Sequence, residues 1–168
     1  MSLIKTNAIQ TVAGKPILNS TGSILKVASN SLTTPVTTTS TSLVNTGLIT
    51  QMTPTNTNSN FFVMLNHGRW GTAGAGAGIV MNMYVSVNGG AYAAAFSGNR
   101  NETLHYNSGA TNQGEWSYSS LYIPGTSVSS IAFQPYFREA VNAGTASFNI
   151  TDTNGYGEVF LTIFEISA

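Results

Sequence analysis

The 168-residue sequence has no cysteine, which excludes disulfides, thiolate metal sites and cysteine catalysis. Charge is nearly as scarce. Only 7% of residues are Asp, Glu, Lys or Arg, and the formal net charge is zero, against about a quarter charged in an ordinary globular domain. With no basic excess to neutralise phosphates, nucleic acid is not an expected partner. No run approaches the ~20 apolar residues of a membrane helix. The first twenty residues hold Lys5 and Lys15 without an apolar core between them, so they do not read as a secretion signal, and no membrane partner is expected. Amphipathic helices are also missing, since no i, i+3, i+4 recurrence outlasts one turn. Ser, Thr, Asn and Gly take the place of the missing charge. A surface with so few charges to keep molecules apart suits an assembled particle.

What remains is β-forming sequence. Residues 158–166 are the densest such run, with Val159, Leu161 and Ile163 on one face and Phe160, Phe164 and Ile166 on the other. Both faces are apolar, so both need cover: one from an opposing sheet, the other from a second copy of the chain. Phe160, Phe164 and Ile166 are therefore the expected subunit interface. Residues 79–87 alternate cleanly, with Ile79, Met81, Met83, Val85 and Val87 inward, and Asn88-Gly89-Gly90 reads as a hairpin turn. Residues 129–139 set Ile131, Phe133 and Phe137 against Ala132, Gln134 and Tyr136, and Pro135 argues for an edge or a bulge. Residues 43–52 read as a bent strand and 116–123 and 145–151 as further strands, whereas 66–78 and 98–114 read as loops. The total is eight or nine strands in one body, residues 24–168. The fold class is all-β, an antiparallel jelly-roll-like β-sandwich, with a barrel or immunoglobulin-like sandwich as the competing architecture.

No catalytic, cofactor or metal motif appears. Gly74, Gly76 and Gly78 lead into a strand rather than a helix, and no Lys-Ser/Thr pair follows, so neither a dinucleotide site nor a P-loop is present. His67 and His105 lie far apart, with only Glu102 close in sequence to either, too few ligands for zinc. Asp152 is the sole aspartate and no Gly-x-Ser-x-Gly elbow occurs. Glu102 and Glu115 flank one loop and form a candidate carboxylate pair, with nothing else in the sequence to support a glycosidase. The expectation is a protein that is not an enzyme and holds no cofactor. A sugar-binding surface fits better: Trp70, Tyr106, Trp116, Tyr118 and Tyr122 offer flat apolar faces, and the candidate ligand-binding loop residues are His67, Arg69, Trp70, Arg100, His105 and Tyr106. The alternative for Trp116 and Tyr118 is packing in the core or at a subunit contact. Three Asn-x-Ser/Thr sequons, at Asn19, Asn101 and Asn149, matter only in a eukaryotic secretory protein.

Residues 1–23 differ from the body. Leu3, Ile4, Ile9, Val12, Ile17 and Leu18 are spaced by Asn, Thr and Lys, with turn signals at Ala13-Gly14-Lys15-Pro16 and Asn19-Ser20-Thr21-Gly22. This reads as an extended docking arm, with a frayed terminus as the alternative. The run from Leu3-Ile4-Lys5-Thr6-Asn7-Ala8-Ile9 through Gly14-Lys15-Pro16-Ile17-Leu18 to Ser23-Ile24-Leu25, together with the terminal Phe164-Glu165-Ile166, resembles small virion proteins of tailed phages of cyanobacteria and other aquatic bacteria. The resemblance implies a structural protein on the particle surface, a homotrimer with a jelly-roll-like body, held by its arm to other virion proteins. One role is a tail fibre or adhesin that exposes its head to a host surface glycan, with tail or baseplate proteins as partners. The other is a capsid decoration (cement) protein whose arm lies across major capsid subunits. The family supplies no catalytic residues.

Overall fold

A computed structural model describes residues 21–97, 102–106, 111–141, 144–150 and 157–168; the side chains of 67, 68, 102–104, 106, 111, 112 and 116 lie outside that description. The docking-arm residues Leu3, Ile4, Ile9, Val12, Ile17 and Leu18 and the loop residue Arg100 lie outside the described residues. Among those described, the secondary structure is twelve strands: β1 (Ile24–Leu32), β2 (Val36–Thr38), β3 (Val44–Asn45), β4 (Thr50–Met52), β5 (Asn60–Ala73), β6 (Gly78–Val87), β7 (Ala93–Ala94), β8 (Glu102–Tyr106), β9 (Thr111–Tyr122), β10 (Ile131–Glu139), β11 (Thr145–Phe148) and β12 (Val159–Ile166). They form two six-stranded sheets. Sheet one runs β1-β12-β5-β11-β2 with β9 on the far side of β5; sheet two runs β3-β10-β6-β7, with β4 also on β10 and β8 also on β6. Every pairing is antiparallel. The architecture is a jelly-roll-like β-sandwich, and among the described residues pairing begins at Gly22, whose N–H donates to Ser167 O.

The core lies between the sheets, where alternation places it. Phe61, Val63, Leu65, Val159, Leu161 and Ile163 of sheet one face Ile79, Met81, Met83, Ile131, Phe133 and Phe137 of sheet two, all fully buried. Phe137 and Phe148 meet across the gap with ring centroids 5.8 Å apart. Thr50 Oγ–H donates to Leu161 O at 2.7 Å, tying β4 to β12 through the core.

Two expected loops are strands. Residues 66–73 continue β5, and only the short turn before Gly78 separates it from β6. That turn needs its glycines: Gly74 and Gly76 sit at φ 117° and 81°, a region that costs other residues a Cβ clash. Ala77 N–H closes it on Gly74 O, and the buried Glu139 carboxylate accepts from Gly78 N–H at 3.1 Å. The second expected loop contains β8 and the start of β9. Uncharged polar residues, which resemble loop sequence, here pair in a ladder because their Thr, Tyr and Trp content suits a pleated surface.

Pro135 is not at an edge. β10 is a central strand, and Pro135 O accepts from Thr46 N–H. The imide nitrogen points to the same side, into the break between β3 and β4, where no ladder partner needs a donor. The expected bend at 43–52 is that break, with Gly47 at φ 78°.

Candidate functional site

The two sheets turn very different faces outward. On sheet one, β12 is central, and the expected interface residues Phe160, Phe164 and Ile166 point away from the core while Val159, Leu161 and Ile163 fill it. The ladder aligns one row across four strands: Val27 opposite Phe164, Phe164 opposite Phe62, and Phe62 opposite Leu121. Phe62 and Phe164 touch, with ring centroids 6.2 Å apart. Val27 is 52% exposed and Leu121 47%. The next row holds Ile24 and Ile166, and Ile123 lies just beyond, 67% exposed. The outward residues of β12 and their partners on β1 and β5 are Ser29, Ser31, Asn60, Met64, Asn66 and Thr162 besides the apolar ones, and none carries a charge. An uncharged apolar face of this kind is the type that monomers rarely leave to solvent.

The expected ligand loops are redistributed. Trp70 lies on β5 and is only 6% exposed, so it is a core residue and no surface platform. The cause is a bulge between Leu65 and Gly68, where the register against β9 shifts. One extra residue reverses the alternation: odd positions face inward before it and even positions after it. The indole stacks on His105 of β8, centroids 4.6 Å apart and planes within 18°, joining the two sheets. Gly114 lies opposite in the ladder because a Cβ there would meet the indole at 2.7 Å. Trp70 Nε1 is buried without a hydrogen-bond partner, and burial lowers the His105 pKa. Arg69 stands opposite Glu115 on the outward side of β5 and β9. His67 and Tyr106 lie on β5 and β8, with side chains outside the described set. Of the expected ligand-loop residues, the structure brings Trp70 and His105 together between the sheets and turns Arg69 outward. Tyr118 and Tyr122 turn toward the core edge, against Phe96 at 5.9 and 6.0 Å, and burial pushes the Tyr118 pKa up to about 12.

Sheet two carries an outward feature built from residues that the sequence reading assigned only to strand faces and a turn. Tyr84 on β6 and Tyr136 on β10 touch with ring centroids 4.3 Å apart and planes tilted by 33°, and Tyr92, just before β7, joins Tyr136 at 6.3 Å. Beside them Gln51, Ala132 and Ser86 form one row across β4, β10 and β6. Small side chains at Ala132 and Ser86 leave a depression of about 520 Å³, walled by Tyr92 on one side and by Lys26, Ala28 and Thr53 on the other. Its walls are fixed. Lys26 Nζ donates to Thr53 O at 2.8 Å. The Asn88-Gly89 turn, with φ 54° and 72°, is the expected hairpin, and Asn88 Oδ1 accepts from Ser129 N–H and O–H at 2.7 and 2.9 Å. Burial raises the Tyr92 pKa, reinforced by Tyr136, so the hydroxyl stays protonated and can donate.

The turn that supplies Thr53 is anchored by a buried carboxylate. Glu165 accepts from Thr55 N–H, Asn56 N–H and Ser59 O–H, each at 2.8 Å. Burial pushes its pKa up, but these donors outweigh burial and hold it below the usual value. Among the described residues no three His, Cys, Asp or Glu side chains gather as metal ligands would.

No family model and no curated protein matches the sequence. Solved structures with similar strand layout include the CBM22-1 xylan-binding domain of Paenibacillus barcinonensis Xyn10C, at 12% identity and TM-score 0.32, covering 88% of this chain and 97% of that one. A chain of infectious bursal disease virus Gx strain matches at 11% identity and TM-score 0.37, covering 85% of this chain and 37% of that one. TmCBM61, solved with beta-1,4-galactotriose, matches at 14% identity and TM-score 0.27, covering 80% of this chain and 68% of that one. These superpositions are too loose to transfer a ligand or a role.

Proposed function

We propose that this chain is a non-enzymatic structural protein of a phage particle. It is a homotrimer built through the outward face of sheet one, attached by its N-terminal arm and exposing the sandwich head to the host surface as a tail-fibre or adhesin-type protein. The observation that carries this reading is the Val27–Phe164–Phe62–Leu121 row. The occupant of that row is a second copy of the chain, because the row and the outward residues of β12 beside it carry no charge and so meet their own copy with no like-charge repulsion and no unpaired ion to desolvate, while the charged positions of this face, Arg69 and Glu115, lie past the bulge and stand opposite each other. The low charge of the whole chain supports the same reading, as does the N-terminal resemblance to phage virion proteins.

Quantitative mass spectrometry of purified particles, scaled to the major capsid protein, tests it. A few to a few tens of copies per particle is the expected result. Hundreds of copies would replace the adhesin role with capsid decoration, and absence from particles would overturn the virion reading itself.

A further inference from the structure

We infer that the hollow on the outward face of sheet two is a binding site for an uncharged oligosaccharide, which gives the proposed adhesin its ligand class and rests on that reading only for where the sugar comes from. Its wall is aromatic: Tyr92 lines the depression, and Tyr136 and Tyr84 touch behind it. An aromatic ring presents a flat apolar surface with a partly negative face, which attracts the C–H face of a pyranose ring. The floor and far wall are polar, with Lys26 as the one charged residue. Gln51, Thr53 and Ser130 supply amide and hydroxyl groups, the match for a ligand whose rim is all hydroxyls. Lys26 is the one cation of the lining and spends one of its three N–H donors on Thr53 O, which leaves donors for a sugar hydroxyl and sets no second cation beside it to clamp an anionic group.

Size points the same way. About 520 Å³ lies in the range of small-molecule sites. A second hollow of about 420 Å³ shares Ala28 and Gln51 with it and is lined further by Ser29, Asn30, Ile49 and Thr50. Two adjoining compartments suit a chain of sugar units better than a single one. The walls are held before any ligand arrives, by Asn88 on one side and by Lys26 and Glu165 on the other, so little ordering entropy opposes binding.

The test uses the full chain in solution against a panel of neutral tri- to hexasaccharides of glucose, galactose, mannose and xylose. Binding is followed by isothermal titration and by amide chemical shifts. The expected result is at least one binder that moves the Tyr92, Gln51 and Ser130 signals and leaves Val27 and Leu121 unmoved. Tyr92→Ala, and Ala132→Trp to fill the floor, then weaken it at least about tenfold, the loss of one stacking contact. A panel with no binder, shifts confined to other surfaces, or affinity unchanged in either folded variant would overturn the inference. If neither variant folds, the wild-type shift map decides. The assay uses isolated protein, so it is independent of the particle count: a sugar binder missing from particles sinks the virion reading alone, and a particle protein that ignores the panel sinks this inference alone.

Discussion

The outward faces of the two sheets come from one scaffold and teach opposite lessons about an uncharged surface. On sheet one the alternation leaves Val27, Phe164, Phe62 and Leu121 in a continuous apolar row. Water has nothing to bond there, and burial against another protein surface is favourable at roughly 25 cal/mol per Å². On sheet two the same alternation leaves Gln51 and Ser86 lining a hollow with Tyr92, and Tyr136 and Tyr84 in contact behind it. That face is satisfied by water, which the hydroxyls of the proposed ligand would replace. Scarcity of charge suits both proposed roles, self-association on the first face and neutral-ligand recognition on the second.

One pair of substitutions tests that contrast with the largest effect. Leu121→Asp puts a charge on the exposed apolar row, where a monomer tolerates it but an interface buries it unpaired. Association weakens by at least about a hundredfold, from the several kcal/mol that such a charge costs, and light scattering after size exclusion reports monomers. Gln51→Asp adds the same charge to the other face and leaves the proposed trimer intact. A trimer that survives Leu121→Asp would remove sheet one as the interface, and dissociation by Gln51→Asp would erase the distinction between the faces.

Beneath the groove the contrast can be sharpened without touching either surface. Glu165→Gln replaces one carboxylate oxygen with an amide donor that faces the N–H of Thr55 or Asn56. The expected loss is about 2–3 kcal/mol, a Tm fall of roughly 5–10 °C for a chain of this size, with the trimer kept. The depressed pKa fixes the pH dependence. The stability that Glu165 supplies is complete above the unfolded-state value near 4.5 and is lost as pH falls from there through the lower folded value. Glu165→Gln flattens that part of the acid-unfolding curve. Unchanged acid stability would mean that the clamp contributes nothing. Gly114→Ala comes next, at about 1–2 kcal/mol for overpacking against a rigid indole. Its readout is a shift in Trp fluorescence.

Much of this arrangement was legible in the residues. The inward faces of β6 and β10 and the turn at Asn88-Gly89 follow from period-two alternation and from turn chemistry, both local properties. The outward placement of Phe160, Phe164 and Ile166 follows for the same reason. Trp70 was not legible. Its side is set by a bulge at Asn66 and His67, and a single uncharged insertion in a polar stretch leaves no periodic trace. The groove was hidden for a different reason. Gln51, Tyr92 and Ala132 lie far apart in the chain and meet only through the order β4-β10-β6, which no local pattern encodes. Tyr84 and Tyr136 read as ordinary outward strand residues until the register placed their rings in contact. Glu165 marked the end of the final strand in the sequence, but its partners lie about 110 residues away.

The smallest expected effect concerns the Trp70–His105 stack, where two forces oppose each other. An imidazolium lying on an indole gains a cation–π attraction of about 0.5–1 kcal/mol at a partly exposed site, which would raise the pKa. Burial disfavours the charged ring and lowers it, and burial prevails. Because the folded-state value lies below the unfolded 6.5, the unfolded chain takes up its proton first as pH falls. Stability is complete above pH 6.5, declines below it, and levels off once the folded ring is also protonated. His105→Gln removes that slope, leaves the trimer intact and leaves the sheet-two hollow unchanged, because the stack lies between the sheets and reaches neither outward face. An NMR titration of the His105 ring decides directly: a midpoint above 6.5 would mean that attraction to the indole outweighs burial, reversing both the order of these two forces and the sign of the pH dependence.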